Sequence, residues 1–223
     1  MTEQLDQFCI EFQRAIAEAL KLCYMTRAKE LQEEACGFLE SLREDARDIK
    51  LQAMKSGEEE IANCSLALEY MLSAVMAELN MWIALKEDRS NVAWDRLVDS
   101  QIALHSALLA HKIVSPFENY QDHLGALEHT LFPPLMFMSI GMTAKQCECS
   151  ICGNDYDNCG HIVGKPYMGK LCHRVILSAS LEEISLVPNP ANKHCRVYTV
   201  SENGVSRDVL TSRVVSAADQ AAA

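Results

Sequence analysis

The stretch Cys149-Ser-Ile-Cys152-Gly153, followed by Cys159-Gly-His161 and then Cys172, constrains this chain more than any other feature. Five soft-ligand residues fall within 24 positions. A Cys-x-x-Cys turn supplies two thiolates from one tight loop, and zinc takes four such ligands in a tetrahedron. Gly153 fits the pattern, because the residue after such a turn often adopts a conformation that suits glycine. The spacing predicts one structural Zn2+ site. The first choice of ligands is Cys149, Cys152, Cys159 and His161. In the alternative, Cys172 replaces Cys159 or His161. Gly160 permits the bend that a Cys-x-His pair requires, and His173 reads as a surface histidine.

The other cysteines behave differently. Cys9, Cys23, Cys36 and Cys64 are scattered through helical patterns and read as small buried hydrophobes. Disulfides are the competing explanation for the cluster. The opening Met1-Thr-Glu-Gln-Leu-Asp6 is acidic and lacks the apolar core of a secretory leader. The expectation is therefore a cytoplasmic, reducing setting with metal-bound thiolates. A catalytic zinc keeps a position open for water and has a carboxylate base nearby, as in His-x-Glu or His-Glu-x-x-His sequences. Neither pattern occurs in the chain, so the metal is expected to hold structure and to do no chemistry.

Charge divides the chain. Residues 1–140 hold 12 Lys and Arg against 23 Asp and Glu, whereas residues 141–223 hold 8 of each. The acidic part should repel nucleic-acid backbones and anionic membranes and attract a partner with a basic face. No run of eighteen apolar residues is present, so no membrane span is expected.

Apolar periodicity predicts helices over the first 130 residues. Leu5, Phe8, Phe12, Ala15, Ile16, Ala19 and Cys23 make one face. Leu31, Ala35, Phe38, Leu42, Ala46, Ile49 and Ala53 make a second, with a stop at Ser56-Gly57. A third helix starts in Glu58-Glu59-Glu60 and presents Ile61, Cys64, Leu68, Leu72, Val75, Leu79 and Trp82. A fourth, capped by Ser90 or Asn91, presents Trp94, Leu97, Val98, Leu104, Leu108 and Leu109. A short fifth runs from about Phe117 to Leu131. The brief connection between the third and fourth predicts an antiparallel hairpin in which Trp82 and Trp94 pack together. Met71, Met76 and Met81 read as core. His123 and His129 are too far apart along a helix to form a metal or catalytic pair.

After Pro134 the character changes. Leu135–Ile140 reads as a strand or extended linker. Arg174–Leu177, Leu181–Val187 and Cys195–Val200 read as short strands bounded by Pro188-Asn-Pro190 and Asn203-Gly204. The fold class is α+β: an N-terminal antiparallel helical bundle over 1–132, a linker or strand over 133–146, a small zinc-stapled β module over 147–214, and a frayed tail over 215–223.

Two segments carry a resemblance. Cys149-Ser-Ile-Cys-Gly through Cys159-Gly-His161, Gly164, Tyr167, Gly169 and Cys172, continued by Leu181-Glu-Glu-Ile-Ser-Leu-Val-Pro-Asn-Pro-Ala191, is similar to a zinc-knuckle module of uncharacterised bacterial and phage proteins. Glu183–Val187 with Pro190-Ala191-Asn192 also resembles a strand-and-turn segment of tailed-phage prohead proteases. Their catalytic histidine and serine lie upstream on strands, where this chain is helical, so the resemblance implies a local β unit and metal site and no protease activity. The helical part leading through Phe132-Pro-Pro into the knuckle resembles a bacterial helical-plus-zinc family, which implies a phage-defence or phage-derived setting.

These readings converge on a non-enzymatic zinc-binding protein, an accessory, adaptor or regulatory subunit that acts by binding another protein. The competing class is a nucleic-acid-binding zinc knuckle with Arg174 and Arg196 on phosphates. The oligomeric state is not legible from the sequence.

Overall fold

The computed structural model describes residues 2–215, with side chains from residue 5 onward. Of the tail expected over 215–223, all but Val215 lies outside the described residues. The architecture is α+β. Five α-helices come first: α1 (Thr2–Leu20), α2 (Lys29–Ser56), α3 (Glu59–Lys86), α4 (Ser90–Ala110) and α5 (Asn119–Leu131). A 3-10 segment, Lys112–Phe117, leads into α5. Six strands follow: β1 (Phe137–Cys149), β2 (Pro166–Tyr167), β3 (Lys170–Leu171), β4 (Arg174–Val187), β5 (Thr199–Glu202) and β6 (Val205–Asp208).

Helices α1 and α2 are separate. The break is held by Gln32, a fully buried side chain whose Nε2 donates to Leu22 O at 2.7 Å and Tyr24 O at 3.1 Å. Its Oε1 accepts from Lys86 Nζ, which also reaches Arg27 O at 2.7 Å. Orphan carbonyls at the end of α1 are thus satisfied from two other helices. Gly57 ends α2 in the left-handed conformation, φ +73°, with its N–H turned back onto Ala53 and Met54. The chain then reverses: Arg43 meets Ser73 and Cys36 meets Asn80 across α2 and α3. Helix α4 reverses again, with Ser100 Oγ donating to Ala74 O at 2.8 Å.

Helix α3 is central and buried around most of its circumference. Met71, Met76 and Met81 lie in its core. Two expected faces shift. On α2, Leu39 is buried while Leu31 and Phe38 are each 48% exposed. On α4, Ala107 and Ala110 are buried while Leu109 is exposed. No side chain caps α4: the cap position falls on Arg89, and Asn91, inside the helix, is engaged by Arg196 and Asp208. The two indoles form no ring pair: Trp82 Nε1 donates to Glu78 at 3.1 Å, and Trp94 packs elsewhere.

Trp94 joins the helices to the β part. Its ring lies edge-on to Phe132, with centroids 5.3 Å apart, and 6.0 Å from Phe137. Its Nε1 donates to Lys193 O at 3.1 Å. Burial of three aromatic side chains contributes about 1.5–3 kcal/mol each, against about 1 kcal/mol for the single hydrogen bond. The apolar contact therefore dominates this joint.

Strands β1 and β4 form a long antiparallel ribbon, from Phe137↔Val187 to Cys149↔Arg174. The two short strands expected over Arg174–Leu177 and Leu181–Val187 are one. Register shifts occur after Gly141, after Ala144 and after Gln146, the mark of β-bulges. Residues 150–173 are inserted between the strands and include the small β2–β3 hairpin. Gly169 seats this insertion on the helices. It has φ +72°, its N–H donates to Asn63 Oδ1 at 2.8 Å, and an added Cβ would sit 2.9 Å from Lys50 Cγ. Strands β5 and β6 close about Asn203-Gly204, both at positive φ as a two-residue hairpin turn requires.

Candidate metal centre

The insertion is built to converge donor atoms. Cys149 ends β1. Its carbonyl accepts from Gly153 N at 2.8 Å, and its sulfur accepts from Ile151 N at 3.4 Å. Gly153, at φ +71°, closes the turn that brings Cys152 round. Asp155 then starts a 3-10 turn by accepting from Asp157 N at 3.0 Å. The chain returns through Cys159 and His161, and Tyr156 and Tyr167 hold this stretch by accepting from Val163 N and Ile162 N.

One donor atom from each of Cys149, Cys152, Cys159 and His161 lies within 4.8 Å of every other. Cys149 is buried, Cys159 and His161 are half-buried, and Cys152 is exposed. This set could hold a metal ion. His161 Nδ1 is buried with no hydrogen-bond partner. An orphaned imidazole nitrogen is costly to bury, and a coordinated ion would satisfy it. The ring is fixed edge-on against Tyr167, with centroids 4.6 Å apart.

Cys172 is also close. Its sulfur lies 3.8 Å from that of Cys149, and the edge of a tetrahedron with metal–sulfur bonds of about 2.3 Å is about 3.8 Å. The four residues of the first-choice set lie together, and Cys172 stands at ligand distance beside them. The thiols respond to this crowding. Burial raises the Cys149 thiol, but N–H groups of Cys152 and Ile151 and the thiols of Cys159 and Cys172 outweigh it, bringing it down to about 6. Burial and the Cys149 sulfur push Cys172 up to about 11. A bound metal would let several of these thiols ionise together.

The two arginines named for phosphate contact part company. Arg174 is exposed, 4.4 Å over the Tyr156 ring and 3.8 Å from Asp157. Arg196 must be corrected: it is fully buried, stacked 3.9 Å over Tyr198, with Nη2 donating to Asn91 Oδ1 at 2.5 Å. A phosphate cannot reach it. A cleft of about 760 Å3 lies nearby between the start of α4 and the β5–β6 hairpin. It is remote from the cysteine cluster, and the Asp208 carboxylate at its edge is engaged by Asn91 and Thr211.

A second polar cluster escaped the sequence reading. Glu78, fully buried in α3, accepts from Trp82, from Tyr120 Oη and from His123 Nε2 at 3.0 Å. The available signal was a lone acid in the apolar run from Met71 to Leu79. His129 takes no part in this cluster.

All ten cysteines are unpaired. No helix among the described residues is long and apolar enough to cross a membrane. No protein-family model, curated protein or solved structure matches the chain.

Proposed function

We propose that this chain is a non-enzymatic zinc-binding protein, a cytoplasmic adaptor or regulatory subunit whose work is to bind another protein. Zinc is favoured by the chemistry of the donors: three thiols and one imidazole suit a closed tetrahedral site, and no carboxylate is among them to serve as a base. The metal then staples the β part, and the helical part, read as an antiparallel bundle, is the scaffold. The phage-defence or phage-derived setting rests on the sequence resemblances alone.

The observation that carries partner binding is a groove between α1 and α2. It measures about 240 Å3 and is lined by Ala15, Ala19, Leu22, Leu31, Ala35, Phe38 and Leu39, with Glu18, Glu34 and Arg14 among them. Leu31 and Phe38 are half exposed there without a covering element. An apolar lining with two acids against one base, on a helical part with excess acid, fits an amphipathic segment carrying basic flanks, recognised by its apolar face and steered by charge.

Titration with a fluorescent amphipathic peptide with Lys flanks tests this. Binding should be lost in Phe38→Glu while metal content stays at one zinc per chain. A chain that ignores such peptides, yet binds DNA or RNA in a salt-sensitive manner abolished by Arg174→Glu, would establish the nucleic-acid class instead. Hydrolase, nuclease or deaminase turnover by the metal-loaded chain would overturn the non-enzymatic reading.

A further inference from the structure

We infer that the outward face of the β1–β4 ribbon is a self-association surface, on which a second copy of this chain packs face to face. The ribbon has two faces of opposite character. Directly paired residues share a face, and the pairs Met138↔Leu186, Ile140↔Ile184 and Met142↔Leu181 place six large apolar side chains in one patch. All six are between 47% and 63% exposed. The opposite face carries Ser139↔Ser185, Gly141↔Glu183 and Thr143↔Ser180. Both neighbouring acids turn that way. Glu183 lies over Gly141, its Cγ 2.7 Å from where a Cβ would stand, and bulged Glu182 accepts from Thr143 Oγ1 at 2.5 Å. The bulge after Gly141 thus keeps Leu181 with Ile184 and Leu186 and removes Glu182 from their row.

The orientation of the patch follows from Phe137, which belongs to the polar face and is buried against Trp94. At this end of the ribbon the polar face therefore looks toward the helices of the same chain, and the apolar face looks away. Antiparallel strands with such alternation ordinarily have their apolar face covered by a second layer. Here that layer is missing from the protomer.

A second copy is the occupant that area and charge favour. Six half-exposed Met, Ile and Leu side chains leave on the order of 600 Å2 of apolar surface, the upper end of what a monomer tolerates. A two-fold pairing would cover on the order of 1,200 Å2 in total, where specific interfaces begin. The patch is apolar and uncharged, so it is complementary to itself and offers nothing to a basic segment. Excess acid lies in residues 1–140, chiefly on the helices. In a face-to-face pair these stand outside two ribbon layers stacked about 10 Å apart, beyond the screening length of about 8 Å at physiological salt. The α1–α2 groove is not used, so this inference stands apart from the adaptor reading.

The test is the mass of the full metal-loaded chain by analytical ultracentrifugation. At about 10 μM the wild type should sediment as two chains of 24.9 kDa and stay associated or tighten as salt rises. Ile184→Asp and Ile140→Asp should each weaken association by at least about 100-fold. Their helical ellipticity and metal content should be unchanged, because these side chains are exposed in the protomer. Ser185→Asp, on the opposite face, should leave the mass as it is. A wild type that is monomeric at about 100 μM, an Ile184→Asp chain that still pairs, association abolished by salt, or a monomer that floats with phosphatidylcholine vesicles would each overturn the inference.

Discussion

Helix α3 and the β1–β4 ribbon use similar residues and meet opposite environments. In α3, Leu72, Val75 and Leu79 are fully buried. In the ribbon, Ile184 and Leu186 are 62% and 63% exposed. Helix α3 has α2 and α4 along its flanks, whereas each ribbon strand over most of its length has only the other. A two-stranded ribbon has no layer of its own to bury against. Apolar content therefore does not decide burial; the number of neighbouring elements does.

Metal removal should separate the two regions most sharply. Structural zinc contributes on the order of 10 kcal/mol to modules of this kind. Stripping it with a strong chelator should abolish amide-exchange protection in β1, β4 and residues 150–173 while α3 keeps its own. Ribbon protection that survives chelation would mean that strand pairing is independent of the metal. The next effect is the packing contrast itself. Leu72→Ala should cost about 2–5 kcal/mol in urea unfolding, whereas Ile184→Ala, measured dilute, should stay within about 0.5 kcal/mol. Equal losses would break the comparison. Glu78→Ala should cost about 2–3 kcal/mol, because it strands the buried donors of Trp82 and Tyr120; Glu183→Ala on the ribbon should cost almost nothing.

The smallest effect is a pH dependence at the edge of the α3 core. The hydrogen bond to Glu78 holds the His123 imidazole above its ordinary value of about 6.5. A raised value means that this contribution is complete below about pH 6.5 and is lost as pH climbs through the folded-state value. The His123 side chain is 41% exposed, so solvent screening should keep the change below about 1 kcal/mol. Unfolding midpoints at pH 6 and pH 8 should differ less in His123→Gln than in the wild type.

Much of the α part was legible because helix periodicity and stop signals are local. The end of α2 at Gly57 is an example. The stripe on α2 was misjudged at Leu31 and Phe38, where α1 leaves the groove open and no local signal marks it. Gln32 could not be found, since its carbonyl partners lie in a turn before its own helix and its cation lies on α3. The clustering of Cys149, Cys152, Cys159 and His161 was readable from spacing, since these four residues lie within 13 positions of one another. Arg196 was misread because its burial depends on Asn91, 105 positions away. The ribbon was read as a linker and fragments because Ser178-Ala-Ser180 interrupts its apolar residues; backbone pairing with Thr143, Ala144 and Gln146 carries the strand across that gap.

In an ordinary hairpin a two-residue turn sets which residues face each other. Here the strands diverge at Cys149 and Arg174 and are rejoined only after residues 150–173, so with a metal bound that task would fall to its ligands. A slip of one residue would turn Met138, Ile140 and Met142 inward and their polar neighbours outward. An ion bound there would act as the zero mark of a ruler. Thirteen residues of β1, rising about 3.3 Å each, would carry its setting about 40 Å to the far end. Whether the chain shows its neighbours a greasy surface or a hydrophilic one would then be decided at a few sulfur atoms nowhere near that surface.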